Sequence, residues 1–137
     1  MAGFGFNHVA FNCRDVPRQE RFYTKHFGFK RSRTFNRGTP GEFILLKLGG
    51  TRLELFPTDS LKAGDANAGE QCIGFKHLAL DVPKLEPVIE SLQTDGVTCD
   101  KIIECPHIAP GARIVFFRDL EGNIIELMEN YRDETDA

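Results

Sequence analysis

Short bursts of alternating apolar and polar residues fill most of the chain, interrupted by two stretches with helical spacing. Alternation over residues 4–12 predicts a strand. It runs into a helix over about 16–27, where Phe22, Tyr23 and Phe27 form an apolar stripe. Asp15 stands where an N-cap belongs and Gly28 where a left-handed residue ends a helix. Strands follow near 29–37, 41–48 and 51–57, the last two joined by a Gly49-Gly50 hairpin turn. After the polar stretch Thr58 to Gln71 the pattern begins again. A strand over 73–82 leads to a helix near 83–95 that carries Leu85, Val88, Ile89 and Leu92 and ends at Gly96. Strands near 97–104, 112–118 and 123–129 complete it. The expected fold is α+β: two βαβββ modules in tandem, about 4–57 and 73–129, with a linker of about 58–72 and an acidic tail at 130–137.

Local echoes support the duplication. Phe6-Asn7-His8-Val9-Ala10-Phe11 matches Phe75-Lys76-His77-Leu78-Ala79-Leu80 at an offset of 77 − 8 = 69. Gly50-Thr51-Arg52-Leu53-Glu54-Leu55 matches Gly122-Asn123-Ile124-Ile125-Glu126-Leu127 at an offset of 122 − 50 = 72, which implies a three-residue insertion between the echoes. Asp15-Val16-Pro17 and Asp81-Val82-Pro83 break that register, and their likeness is read as coincidence.

The alternation also assigns faces. If Val9, Phe11, Leu53 and Leu55 pack under the first helix, then His8, Ala10, Asn12 and Glu54 point the other way. The second module repeats this, with His77, Ala79, Asp81 and Glu126 opposite Leu78, Leu80, Ile125 and Leu127. Phe6, Phe56, Phe75, Ile124 and Met128 share the face of the histidines and glutamates, which suits the lining of a cleft better than open solvent. Two imidazoles and two carboxylates in such a cleft are the donors of a divalent metal: His8, Glu54, His77 and Glu126, with Zn, Ni, Co, Mn or Fe as the cation. Ala10 and Ala79 leave room beside it.

Composition narrows the setting. The 137 residues hold 41% hydrophobic and 27% charged residues, values of an ordinary globular domain. No apolar run approaches the roughly 18–20 residues of a membrane helix, and the N-terminus carries no secretory pattern, so a cytoplasmic, soluble protein is expected. The four cysteines form no C-x-x-C pair and are expected as reduced thiols. Net charge is −3, yet residues 1–40 carry eight Lys and Arg against Asp15 and Glu20. This is read as a solvated helix face rather than a nucleic-acid site, and no nucleic-acid or membrane partner is expected.

His8-Val9-Ala10-Phe11, Phe22-Tyr23-x-x-x-Phe27-Gly28-Phe29, Leu53-Glu54-Leu55, His77-Leu78-Ala79-Leu80 and Phe117-x-Asp119-x-Glu121-Gly122-Asn123-x-Ile125-Glu126-Leu127 together resemble the vicinal oxygen chelate superfamily. That group spans glyoxalase I, methylmalonyl-CoA epimerase, fosfomycin- and bleomycin-resistance proteins and extradiol dioxygenases. The resemblance covers residues 4–129 and implies curved mixed sheets around a metal cleft. The His-Glu-His-Glu set is similar to that of bacterial glyoxalase I. By that likeness Glu126 would be the catalytic base and Glu54 its partner, in a lyase or isomerase that passes through an enediolate. The likeness also implies a homodimer with sites at the interface, although in other members one chain forms the site alone.

Where glyoxalase I has an Arg and an Asn for glutathione, this chain has Asn12 and Thr58, and the usual Lys-Gly-Gly segment is replaced by Cys105 to Gly111. A small-molecule substrate with neighbouring oxygens is therefore expected, but not the glutathione pocket. Asn12, Phe56, Phe75, His107 and Met128 are the expected pocket residues. The alternatives are a dioxygenase or thiol transferase at the same metal, or a binding protein that holds an antibiotic without chemistry.

Overall fold

A computed structural model describes residues 3–62 and 73–134. The chain divides into two compact units, Met1–Leu61 and Lys62–Ala137. In the first, β1 (Val9–Cys13) leads to α1 (Val16–Phe27), then β2 (Lys30–Phe35), β3 (Phe43–Leu48) and β4 (Thr51–Pro57). The sheet order is β1-β4-β3-β2, with β1 parallel to β4 and the remaining pairs antiparallel. The second unit repeats this with β5 (Leu78–Val82), α2 (Leu85–Gln93), β6 (Ile103–Glu104), β7 (Arg113–Arg118) and β8 (Ile124–Glu129), in the order β5-β8-β7-β6. The twofold βαβββ plan read from the sequence is the observed one.

Helix α1 begins and ends as its sequence dictates. The Asp15 carboxylate accepts the Arg18 N–H at 3.0 Å, and Gly28 at φ +78° turns the chain so that Phe29 drops into the core. Phe22 and Tyr23 are buried, with the Tyr23 ring 6.4 Å from that of Phe11, and α1 packs on β4, whose Leu53 and Leu55 are fully sequestered. Truncating either leucine to alanine would cost about 2–5 kcal/mol. His26 is half-buried with its ring edge-on to Phe22 at 4.8 Å.

Helix α2 lacks a cap of its own. Lys84 offers no side-chain acceptor, and Glu129 of β8 reaches across to accept the Leu85 N–H at 2.9 Å. The same Glu129 carboxylate takes two hydrogen bonds from Arg113, its register partner on β7, at 2.7 and 2.8 Å. Arg113 also forks onto Glu86 in the first turn of α2 at 2.8 Å. One guanidinium thus ties two strands to the helix start. Its counterpart in the first unit is Arg31 of β2, which forks onto Glu20 of α1.

Several boundaries differ from expectation. β1 and β5 start at Val9 and Leu78 rather than at 4 and 73, because their pairing with β4 and β8 begins at those residues. Helix α2 ends at Gln93, and Gly96 at φ +73° closes the turn beyond it. The expected strand 97–104 shrinks to Ile103–Glu104. The Asp100 N–H donates to Phe116 O at 2.8 Å, one residue out of step with the Ile103↔Ile114 pairing. The same one-residue slip separates Arg31↔Leu46 from Arg33↔Leu45 in β2, so both units bulge in this strand.

Thr39-Pro40-Gly41 and Ala109-Pro110-Gly111, at an offset of 109 − 39 = 70, form matching turns. Glu42 N–H donates to Thr39 O at 3.1 Å and Ala112 N–H to Ala109 O at 3.0 Å. Register places one inserted residue in the β7–β8 turn, since four residues separate Lys47 from its partner Arg52 and five separate Arg118 from Ile124. There Asp119 receives the Asn123 and Glu121 N–H groups at 2.9 Å. Asp15 caps a helix while Asp81 lies within β5, so the likeness of their tripeptides has no common structural role. Most of the expected linker, residues 63–72 with Cys72, lies outside the described residues. Cys13 and Cys105 are buried thiols, and burial pushes the half-buried Cys99 thiol up, away from a reactive thiolate.

Candidate metal-ligand face

Register fixes which side chains meet on the face away from each helix. In the first unit Ala10, Glu54 and Leu45 are aligned across β1, β4 and β3. In the second, Ala79, Glu126 and Phe116 are aligned across β5, β8 and β7. The histidine immediately before each parallel edge strand leans onto the carboxylate of its neighbour. His8 Nε2 lies 3.2 Å from Glu54 Oε1, and His77 Nε2 lies 3.1 Å from Glu126 Oε1. Within each unit the expected pair is therefore together, and among the described residues no third His, Cys, Asp or Glu joins either one.

The two pairs differ in their surroundings. Glu126 is buried, 9% exposed, with Phe116 beside it, and the His77 ring stands edge-on to Phe116 at 5.4 Å. Glu54 is half-buried beside Leu45. The His8 Nδ1 is 2.8 Å from the Asn7 side-chain oxygen, so in the neutral tautomer that donates there Nε2 keeps its lone pair. That lone pair then confronts a carboxylate oxygen, an arrangement that a cation between them relieves. The corresponding residue before His77 is Lys76, and His77 Nδ1 is buried with no hydrogen-bond partner among the described residues. Asn7 was not singled out by sequence, because an asparagine beside a histidine carries no periodic signal.

Donor chemistry and spacing fit a divalent ion. With bonds of about 2.1 Å, two neighbouring ligands of one metal stand roughly 3.0–3.4 Å apart, for octahedral or tetrahedral angles. Both pairs are within that range.

The other expected pocket residues are scattered. Phe56 and Met128 are half-buried on the His–Glu face, each two residues along its strand from the glutamate. Asn12 is exposed and is the register partner of Phe56. Phe6 and Phe75, expected within the strands, precede them and are 74% and 42% exposed. His107 is exposed in the loop between β6 and β7, whose small core is Cys105, Ala109 and Ala112.

A family model described as the Glyoxalase/Bleomycin resistance protein/Dioxygenase superfamily matches residues 5–127. Among solved structures, the chain is similar to the glyoxalase family protein from Enterococcus faecalis, with 29% identity, a TM-score of 0.74, and coverage of 94% of this chain and 100% of that one. It is similar to a glyoxylase/bleomycin resistance protein/dioxygenase domain from Frankia sp. EAN1pec, at 25% identity and TM-score 0.75, covering 98% and 96%. In fold alone it is similar to the fosfomycin resistance protein FosX from Listeria monocytogenes, at 16% identity and TM-score 0.70, covering 93% of both chains. A comparison with curated proteins gives no match. No helix among the described residues is long and apolar enough to cross a membrane.

Proposed function

Given that the chain belongs to the glyoxalase/bleomycin resistance protein/dioxygenase superfamily, we propose that it is a metal-dependent lyase or isomerase of small molecules with neighbouring oxygens. His8, Glu54, His77 and Glu126 are the ligand set of one divalent cation. The superfamily includes metalloenzymes and non-catalytic members alike. The observation that carries the enzymatic reading is the repeated His Nε2–Glu Oε1 contact, at 3.2 and 3.1 Å, at equivalent register positions. A FosX structure with Mn(II) supports a hard divalent ion in this fold.

When bound, such a cation supplies Lewis acidity to the substrate's two oxygens. The protein's own part is to position and to move a proton. Ala10 and Ala79 keep the space over the carboxylate rows clear. Glu126, nearly dry and walled by Phe116, removes the proton from the carbon next to the carbonyl and returns it to the neighbouring carbon. Glu54 serves the opposite side. Asn12 and Thr58 bring no charge for a glutathione carboxylate, which favours a substrate without that carrier.

Titration of chelator-treated protein with Ni, Co, Zn, Mn and Fe(II) is expected to give saturable binding with one ion per ligand set. His8→Ala and His77→Ala should each abolish it, and undiminished binding in either variant would overturn the assignment. Asn7→Ala is expected to weaken metal binding about tenfold by freeing the His8 ring, and Asn7→Asp to restore it. The visible spectrum of the Co(II) form reports this independently of activity.

The ligands come either from one chain or from two chains of a homodimer. In the shared arrangement, mixing His8→Ala and His77→Ala chains regenerates one intact site per mixed dimer, since the other site carries both mutations. Metal-free mixtures after full exchange would sink the shared site.

A further inference from the structure

The His–Glu face of the first unit is organised in rows that run across the strands. Phe35 pairs with Phe43 across β2 and β3, Phe43 and Phe56 stand one residue beyond the Ile44↔Leu55 pair of β3 and β4, and the three rings form a ladder. Phe35 and Phe43 stack at 4.6 Å and 8°, and Phe43 and Phe56 at 4.2 Å and 18°. The Arg33 guanidinium lies 5.7 Å from the centre of the Phe35 ring, which closes that end with a cation. The other end is open. The next position in the row is Asn12 on β1, a short and exposed side chain, and among the described residues no ring covers the outer face of Phe56.

We propose that the site accepts a planar aromatic, anionic substrate whose ring stacks on Phe56 above Asn12 as the fourth rung of this ladder. This rests on the metal reading and names its substrate class. Three arguments carry it. Strands are about 4.7–4.9 Å apart, close to the rung spacing, so the slot over Asn12 is one ring thick. Glu54 lies two residues before Phe56 on β4, roughly 6.6–6.8 Å away, so a substituent on a stacked ring reaches the carboxylate row. Charge agrees as well, because Arg33, Lys47 and Arg52 share this face with Glu54, the one carboxylate among the residues of β1 to β4.

The second unit shows that the row is particular to the first. Its equivalent positions hold Asp81, Met128, Ile114 and Ile103, while His77, Ala79 and Glu126 repeat the first unit's pattern. The metal-ligand residues are thus common to both copies, and the aromatic row is confined to one.

Mandelate and lactate present the same α-hydroxy acid and differ by phenyl against methyl. Calorimetric titration of the Mn(II)-loaded protein is expected to give at least about tenfold tighter binding of mandelate. Hexahydromandelate, equal in bulk but not planar, should fall between them. Phe56→Leu, which keeps an apolar side chain of similar burial, and Asn12→Phe, which fills the slot, should each bring the mandelate-to-lactate ratio close to one. Equal affinities in the native chain, no binding of either acid, or a ratio unmoved by both variants would overturn the aromatic assignment. Mn(II) binding is read in the same experiment, so failure of the metal centre is distinguished from failure of the ring slot.

Discussion

Glu126→Gln is expected to lower turnover by about 10²–10⁴-fold, the range spanned by removal of a positioned general base. The amide keeps the size of the side chain and its contact with His77, but it can neither take a proton nor contribute charge. Glu126 is the carboxylate with the drier setting, since Phe116 stands beside it and its residue is 9% exposed. Glu54 lies in the less enclosed row next to Leu45, so Glu54→Gln should cost less, about tenfold. Rates are compared on metal-loaded protein with a hydroxycarbonyl or α-hydroxy acid substrate, alongside thermal unfolding to show that the fold is intact. Turnover unchanged by Glu126→Gln, with metal still bound, would remove this residue from the chemistry.

The second large effect is on stability. Arg113→Ala should destabilise the chain by about 2–3 kcal/mol at neutral pH, because it strands the Glu129 carboxylate, 6% exposed, without its cation. For a chain of this size that lowers the unfolding midpoint by roughly 6–12 °C. The cluster also sets an acid limit. The Arg113 fork holds the Glu86 carboxyl down to about 2 and lowers that of Glu129 as well. A carboxylate depressed on folding adds stability that is complete above its ordinary pKa, near 4.5, and is lost as pH falls toward the folded value. Native protein should therefore lose stability between pH 4.5 and 2. In Arg113→Ala that loss is smaller, since protonation then relieves the stranded Glu129. A pH series of denaturant midpoints on both proteins checks the sign, and parallel curves would refute it.

Much of this arrangement can be read from residues alone. Alternation together with the repeated Phe-x-His-aliphatic-Ala pattern assigns His8 and Glu54 in one unit, and His77 and Glu126 in the other, to the sheet face away from the helix, and Asp15 and Gly28 announce the ends of α1. What escapes is whatever depends on distant partners. Leu85 and Glu129 are separated by 44 residues, so the cap of α2 has no local signal and Lys84 gives no hint of it. The starts of β1 and β5 depend on where β4 and β8 provide backbone to pair with, which alternation over 4–8 cannot reveal. Phe35 reaches Phe43 only because the register slips after Arg31, and a bulge is invisible to a strict period of two.

That slip bears on how the sheets can grow. Each sheet has two borders, and at one of them, β2 or β6, the ladder is out of step by one residue. A kinked border is a poor template for another strand, whereas β1 and β5 keep an unbroken register along their whole length. Strand addition is thereby confined to one side of each sheet. A sheet that accepts a strand at one border only can take part in a single pairing of this kind, and the chain carries one such border in each unit, β1 and β5.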